Sequence, residues 1–587
     1  MTRAPKSPAS PEKVRNEDIA RAFDEVAELL DLENDNPFRV RAYRNAARTL
    51  RGAREEVADM IARGGDPDDL PGIGKDLAAQ IGEMVASGRL SRLDRLRPEV
   101  PALALELSHV PGVGPRRAMD LCEGLKPRPR TLDDVLAAGL DGKVRALPGF
   151  GALSEQKLVE RLQAERRQDK RFKRASVRPY AEALVERLRA DPSVEAAEVA
   201  GSYRRGKETV GDLDLIAVSE TPARVTKNFV AAPNVDHVLA EGRTKASVVL
   251  KSGVQVDLRA VARENFGAAM LYFTGSKAHN IALRRLAQQR GLKINEYGVF
   301  RGKERLVGAD EAEIYRLFDL AYVPPELRED SGEIEAAARG ALPRLVRLSD
   351  VKGDLHVHTN VSDGANSLSE MVQAARERGL DYIAVTDHSQ SMRIAHGLNR
   401  ERLLAQIDAV DHFNAENPGF KVLKGAEVDI LPDGALDLAD DLLHRLDLVV
   451  AAIHSDFGLP REKQTERILR ALDNRFVFIL AHPTGRLLFE RDAYDIDMAR
   501  VLRAAHARGS CLEINGQPDR LDINDAYCRM AKSEGVRLSV DSDAHGARDF
   551  INLEYAVAQA RRGWLEAGDI VNALPVSELK ALIAASR

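Results

Sequence analysis

The chain of 587 residues has no run of 18 apolar residues, and its opening, Met1 to Pro8, lacks the apolar core of a signal peptide, so neither a membrane span nor secretion is expected. Cysteine is scarce. Cys122, Cys511 and Cys528 stand singly, without the spacing of a metal site, which fits a reduced, cytoplasmic protein. Net positive charge is missing too, and a balance of −5 counts against a nucleic-acid binder until its distribution is considered. Residues 1–350 carry 58 Lys and Arg against 54 Asp and Glu, residues 351–587 carry 28 against 37, and 151–310 alone carries 29 against 20. One part is basic where phosphate would be met, and the acidic remainder gathers carboxylates that metals can offset. The densest basic run, Arg166, Arg167, Lys170, Arg171, Lys173, Arg174 and Arg178, suits a solvated helix face when taken alone. The length calls for about three to five domains.

What the chain does have is a block from Gly201 to Ile216 in which a glycine-serine turn precedes two carboxylates that alternate with leucines. In a strand, Asp212 and Asp214 share one face while Leu213 and Leu215 share the other. Paired carboxylates repel unless cations sit between them, and Mg²⁺ or Mn²⁺ take oxygen ligands of this kind. An Asp-Leu-Asp triplet alone also suits a solvated edge strand, but the surroundings favour chemistry. Gly201 and Ser202 offer donors to phosphate, Arg205 can neutralise phosphate charge, and Val254 to Arg259 alternates again with Asp257 on its polar face. If the two strands pair, three carboxylates converge, with Asp257 placed to accept the proton of an attacking hydroxyl.

This pattern resembles the nucleotidyltransferase superfamily, and the Arg-Arg-Gly between its parts narrows the resemblance to the family X DNA polymerases. Tyr272, Phe273, Thr274, Gly275 and Ser276, then Asn280, Arg284 and Ile294 to Tyr297, resemble the thumb of that family. The resemblance implies that Gly201, Ser202, Arg205 and Gly211 bind nucleotide, and that Tyr272 and Phe273 flank the incoming sugar. It also implies that Gly275 lets the backbone approach that sugar, that Asn280 touches the base from the minor groove, and that Arg284 meets DNA.

Two segments nearer the start read as helix-hairpin-helix motifs: Leu70 to Lys75, with Gly72 and Gly74, and Val110 to Gly114, with Gly112 and Gly114. Such a turn frees backbone N–H groups at a helix start, where a DNA phosphate is gripped without base readout. Leu147 to Gly151 repeats the turn, and helices are expected over Asp18 to Leu30 and Phe38 to Leu50. By resemblance this region is a lyase-like domain followed by fingers, with Arg39 and Tyr43 matching a pocket for a DNA 5′-phosphate. The position of the Schiff-base lysine of lyase-active relatives is Gln80, and an amide forms no imine. The basic residue expected beside it is Asp76, which implies weakened recognition of that phosphate.

After Asp350 short β-rich runs alternate with helical stretches: Gly353 to His358, Tyr382 to His388, Lys421 to Val428, Leu448 to His454, Phe476 to His482, Cys511 to Ile514 and Leu538 to His545. Seven strands with intervening helices imply a barrel related to the TIM type, with chemistry at the C-terminal strand ends. Those ends carry His356, His358, Asp363, His388, Glu427, His454, His482, Asp543 and His545, which include six of the 13 histidines. Imidazole with carboxylate suits Zn²⁺, Mn²⁺ or Fe²⁺. The set resembles the metal motifs of the polymerase-and-histidinol-phosphatase, or PHP, family, which implies three divalent metals and hydrolysis of phosphate esters. Arg486 is a candidate for phosphate or a surface residue, and Asp387 a candidate partner behind the ligands.

From about residue 15 to 575 the chain resembles the bacterial family X DNA polymerases with a C-terminal PHP domain. The implied fold is multidomain, with a helical helix-hairpin-helix region, an α+β nucleotidyltransferase palm with thumb, and a distorted (β/α)7 TIM-like PHP barrel. The expected parts are a lyase-like domain (1–100), fingers (101–175), palm (176–265), thumb (266–325), a mostly helical linker (326–349) and the PHP phosphoesterase (350–587). The implied activity is gap-filling DNA synthesis from dNTPs on gapped or primed DNA by a monomer in base-excision or break repair. A 3′-5′ exonuclease, with AP endonuclease activity as an extension, would reside in the PHP domain. The alternatives are a terminal nucleotidyltransferase fused to a small-molecule phosphatase, against which the hairpin turns argue, and a DNA-end scaffold, which needs no adjacent carboxylates.

Overall fold

The structure, a computed structural model, describes residues 14–33, 35–52, 56–70, 72–98, 100–110, 113–168 and 171–587. Lys170 of the basic run, and the prolines and glycine at 71, 111 and 112 of the hairpin turns, lie outside the described residues. The chain divides into two compact units between residues 170 and 171. No described helix is long and apolar enough to cross a membrane.

The first unit is helical. In Asn16–Leu32 the residues Ile19, Phe23, Val26 and Leu30 recur at the helical period and are buried, as are Ala46, Ala47 and Leu50 of the next helix, Pro37–Gly52. These side chains share one core with Ile81, Leu107 and Leu121. The three hairpin turns repeat one hydrogen bond: Ile73, Val113 and Phe150 donate their N–H to the carbonyls of Leu70, Val110 and Leu147 at 3.1, 2.9 and 3.1 Å. Helices Lys75–Ser87, Pro115–Gly124 and Ala152–Gln168 then begin at once.

The second unit opens with a five-stranded sheet of β1 (Ala196–Val199), β2 (Asp212–Val218), β3 (Val235–Glu241), β4 (Lys245–Leu250) and β5 (Gln255–Val261), in the order β1-β2-β5-β4-β3. Alternation in β5 buries Val256, Leu258 and Ala260 and leaves Gln255, Asp257 and Arg259 half-buried on the other face. Strands β2 and β5 run parallel with Asp214 directly opposite Asp257. Helices Phe266–Thr274 and Lys277–Gln289, a three-stranded hairpin sheet over 293–307 and helix Glu311–Leu317 follow.

The segment 326–349 departs from the expected mostly helical linker. Its one α-helix is the short Glu333–Ala338, and it is packed rather than spacing: Arg328 and Glu333 are fully buried. Arg328 pairs with Glu311 at 2.6 Å, and the Glu333 carboxylate meets His279 Nδ1 at 2.6 Å. Buried charges need such partners, so this segment is tied to the preceding domain and cannot swing as a tether.

Seven parallel strands come next: β6 (Gly353–Val357), β7 (Tyr382–Val385), β8 (Lys421–Asp429), β9 (Leu448–Ala452), β10 (Val477–Leu480), β11 (Cys511–Asn515) and β12 (Leu538–Asp541), paired in chain order. Their near-continuous apolar runs suit strands covered on both faces. The barrel nearly closes, since Val357 bridges Ala544 in parallel and the N–H of His358 donates to the carbonyl of Ala544 at 2.9 Å. Five of the strands stop short of the expected runs, while β8 and β11 each run one residue further, to Asp429 and Asn515; His358, His388, His454, His482, Asp543 and His545 stand just beyond the strands. The backbone turns there, with φ of +28° at His482 and +52° at Asp543. Leaving the ladder frees these side chains to converge over the barrel end.

Candidate functional site

The polymerase-type cluster is built by β2 and β5. Its three carboxylates are half-buried on one sheet face, and their charges press on one another. Burial first, then Asp212 and Asp257, push Asp214 up to about 7, against the pull of Arg259 and Arg205. Burial and Asp257 also raise Asp212. Asp257 accepts hydrogen bonds from the Ser247 hydroxyl and from Gln255 at 3.3 Å. Carboxylates held together at this cost suit divalent cations.

Gly201 opens the short helix Gly201–Arg204 at φ +65°, and a Cβ there would stand 2.4 Å from Asp214 Oδ2, so only glycine lets this turn approach the carboxylate. Ser202 is half-buried on the same helix, and Gly211, also half-buried, immediately precedes β2. Arg205 is not free in solvent: its guanidinium pairs with Glu329 at 3.0 Å and donates to the carbonyl of Thr274. Tyr272 and Phe273 pack edge to face at 5.0 Å, with Arg259 4.1 Å over Phe273 and Arg284 5.5 Å over Tyr272. Asn280 donates to the carbonyl of Tyr272 at 2.7 Å, and Gly275 adopts φ +69° beside Arg205.

In the helical unit Gly72 and Gly74 present open space to an added Cβ, and Gly114 does the same ahead of its helix. Gly112 lies outside the described residues. Arg39, Tyr43, Lys75, Gln80 and Arg92 line a hollow of about 790 Å³. Within it Tyr43 donates to Gln80 Oε1 at 2.9 Å, while Arg39 is held by Asp35 at 2.7 Å.

The nine barrel residues gather at one end of the strands. Three groups have ligand-type atoms within 4.8 Å of one another: His358, Asp363, His388 and His545; His356, His358 and Asp543; and His388, Glu427 and His454. His482 falls outside these groupings, yet its Nε2 lies 2.8 Å from Glu427 Oε1. Several buried ring nitrogens have no hydrogen-bond partner: Nε2 of His356, both nitrogens of His358, and Nε2 of His454. Carboxylate oxygens stand 3.3 to 3.8 Å from them, as with Glu427 at His454 and Asp363 at Nδ1 of His358. Lone pairs of both kinds therefore point into shared space, which fits divalent metals. Burial and His545 push His358 down to about 3, which keeps its imidazole in the neutral, ligating form.

Residues that the sequence reading passed over hold this set in place. Glu513 on β11 accepts from Nδ1 of His356 at 2.6 Å and from the N–H of His482 at 2.7 Å, and Asp429 meets Nδ1 of His454 at 2.6 Å. A signal existed: Cys511 to Ile514 was the one run without an assigned ligand, and Glu513 is an acid inside its buried strand. Asp387 holds neighbouring residues and not a ring, accepting from the N–H of Thr359 at 2.7 Å and from the side chains of Thr359, Ser362 and Gln406. Arg486 is neither surface nor free for phosphate, because it pairs with Glu208 at 2.6 Å and donates to the carbonyls of Arg520 and Leu521.

The chain matches the DNA polymerase beta thumb over residues 269–329, a helix-hairpin-helix domain over 14–90, a SAM-like helix-hairpin-helix tandem over 104–164 and the PHP domain over 354–543. It is similar to the DNA polymerase/3′-5′ exonuclease PolX of Bacillus subtilis (strain 168), with 38% identity over 574 residues, 97% of this chain and 99% of that protein. The barrel region alone is similar to proteins named probable phosphatase. That of Thermoanaerobacter sp. (strain X514) is 33% identical over 219 residues, 35% of this chain and 83% of that protein. That of Syntrophotalea carbinolica is 33% identical over 230 residues, 37% of this chain and 90% of that protein.

Proposed function

The chain belongs to the family of the DNA polymerase/3′-5′ exonuclease PolX, and from that membership we propose that it fills short gaps during DNA repair, with the two residue clusters as its two opposed sites. It is a DNA polymerase with a 3′-5′ exonuclease in its PHP domain, it acts on DNA, and its sites use divalent metals. The observation that carries the assignment of the synthetic site is the register of β2 and β5, which sets Asp214 against Asp257 with Asp212 on the same face.

In this reading Asp212, Asp214 and Asp257 hold Mg²⁺ or Mn²⁺, which supply electrostatic stabilisation of the phosphoryl oxygens and of the attacking and leaving groups. Asp257 takes the proton of the primer 3′-hydroxyl. Gly201, Ser202, Arg205 and Gly211 receive the triphosphate of a dNTP, with Arg205 exchanging its contact to the Thr274 carbonyl for phosphate. Tyr272 and Phe273 flank the sugar, Gly275 lets the chain approach it, and Asn280 reads the base edge. Gly72, Gly74, Gly112 and Gly114 grip backbone phosphates, Arg284 meets the duplex, and Arg39 and Tyr43 hold the 5′-phosphate of a gap. Gln80 removes imine chemistry from that pocket.

In the PHP site His356, His358, Asp363, His388, Glu427, His454, His482, Asp543 and His545 hold up to three ions of Mn²⁺, Zn²⁺ or Fe²⁺, which supply Lewis acidity and charge neutralisation. Glu513 and Asp429 orient His356 and His454. The protein works as a cytoplasmic monomer, with cleavage at abasic sites as a further use of the same cluster, and with the parts 1–100, 101–175, 176–265, 266–325, 326–349 and 350–587 as its functional divisions. A labelled primer bordering a one-nucleotide gap tests this. Extension by one residue with dNTPs and shortening without them is expected, whereas inertness on DNA together with release of phosphate from a small monoester would establish the fused phosphatase instead.

A further inference from the structure

The helix Leu553–Arg562, which follows the last barrel strand, lies against the turn that leaves Gly201 and Ser202 in the synthetic site. Gly206 in that turn has φ +68°, and a Cβ added there would stand 3.5 Å from Ala558 Cβ and 3.8 Å from Arg562 Cδ. Gln559 of the same helix donates to Glu208 at 2.6 Å, and Arg174 lies 4.9 Å over Tyr203 and 5.7 Å over Tyr555. The turn from Tyr203 to Glu208 therefore takes its shape from a barrel helix as well as from its own sheet.

Arg562, the last residue of that helix, is buried and directs its guanidinium at this boundary. Nη1 donates to the carbonyl of Arg205 at 3.0 Å and to Glu329 Oε1 at 3.1 Å, while Nη2 donates to Asp525. The same Glu329 oxygen accepts from Arg205 Nε at 3.0 Å and lies 3.3 Å from Lys207 Nζ. Arg205 is thus held twice by one barrel residue, at its main chain directly and at its guanidinium through Glu329. Burial pushes the Glu329 carboxyl up, but Arg205, Lys207 and Arg562 together hold it below its usual range, so it stays charged. With Nε anchored on that charge, Nη1 of Arg205 rests on the Thr274 carbonyl and is the group placed to exchange it for phosphate. Removing Arg562 takes a buried donor from the Arg205 carbonyl and a cation from Glu329, and both constraints on Arg205 relax.

We propose that Arg562 is a positioning residue for nucleotide addition: from the PHP domain it fixes Arg205, by its main chain and through Glu329, in the orientation that receives the triphosphate of a dNTP. The inference rests on the reading of Arg205 as a triphosphate ligand. It makes dNTP binding depend on a residue that touches neither nucleotide nor metal. A side chain held in its bound orientation loses less freedom on binding, so the contribution of Arg562 appears in KM more than in kcat.

The test measures single-nucleotide gap filling by the full chain and by Arg205→Met, Arg562→Met, Arg562→Lys, and Arg205→Met combined with each Arg562 change. Arg205→Met is expected to raise KM for the dNTP about 10- to 100-fold, through loss of a charge-assisted phosphate contact. Arg562→Met should raise it about 10-fold with kcat within about 3-fold of the parent. In the double variant KM should equal that of Arg205→Met alone, because Arg562 acts only through Arg205. Shortening of a single-stranded oligonucleotide should be unchanged in Arg562→Met, which separates positioning from general loss of structure. Arg562→Lys keeps the buried charge and carries the test if Arg562→Met does not fold. Its ammonium cannot reproduce the planar fork, so KM should rise about 3-fold, again only while Arg205 is present. A parental KM in a folded Arg562 variant overturns the proposal, as do effects that multiply in the double variants or an exonuclease that falls in step. A parental KM in Arg205→Met overturns the triphosphate reading of Arg205 itself, and the positioning role with it.

Discussion

Replacing Asp214 by asparagine is expected to stabilise the protein in chelator while abolishing synthesis. Burial and the charges of Asp212 and Asp257 raise the Asp214 carboxyl to about 7, whereas in an unfolded chain it titrates near ~3.9. Below pH ~4 the group is protonated in both states and costs nothing. As pH rises the unfolded chain ionises first, so stability is lost progressively until the folded carboxyl also ionises near about 7. Three pKa units at about 1.4 kcal/mol each give an upper bound of about 4 kcal/mol at pH ~8. For a unit of this size that corresponds to a rise of about 4–8 °C in Tm for Asp214→Asn. Thermal unfolding in EDTA from pH 4 to pH 8 measures it: the two proteins should coincide at the acid end and diverge at the alkaline end. A variant no more stable than the parent at pH 8, or a difference that does not change with pH, would refute the reasoning.

Other perturbations separate the parts of the account. Gly201→Ala places a Cβ 2.4 Å from Asp214 Oδ2 and should lower single-nucleotide incorporation by about 100-fold, through misplacement of the carboxylate, with exonuclease rate as the unchanged control. Glu513→Gln keeps a partner for His356 but removes the charge, so the Mn²⁺ concentration needed for half-maximal exonuclease should rise about 10- to 100-fold while gap filling is unaffected. Arg486→Ala breaks the pair with Glu208 and should cost about 3 kcal/mol in urea unfolding; an unchanged midpoint would show that this contact contributes nothing to stability.

Local chemistry made much of the fold legible. The alternation from Val254 to Arg259 declared a strand with one polar face, and the β-rich runs Leu448 to His454 and Phe476 to His482 declared two strands of a barrel. The hairpin turns were visible because glycine at fixed offsets has few other uses. What local pattern could not supply was partnership across the chain. The register that sets Asp214 against Asp257 joins residues far apart in sequence. The partners of Arg205 and Arg486, Glu329 and Glu208, are chosen by packing and leave no local mark. Glu513 was passed over because its strand ends without a histidine, although an acid in a buried strand always needs a partner. The 326–349 segment read as a mostly helical linker because burial of Arg328 and Glu333 depends on surfaces supplied by other parts of the chain.

The central claim is that one chain holds two separate metal sites with opposed effects on a DNA end. It is tested most directly by giving a 5′-labelled primer at a one-nucleotide gap, with Mn²⁺ and dNTPs, to Asp214→Ala and to the double variant His356→Ala with His358→Ala. Asp214→Ala should degrade the primer without extending it, and the double variant should extend it without degrading it. Loss of both activities in either folded variant would contradict the account.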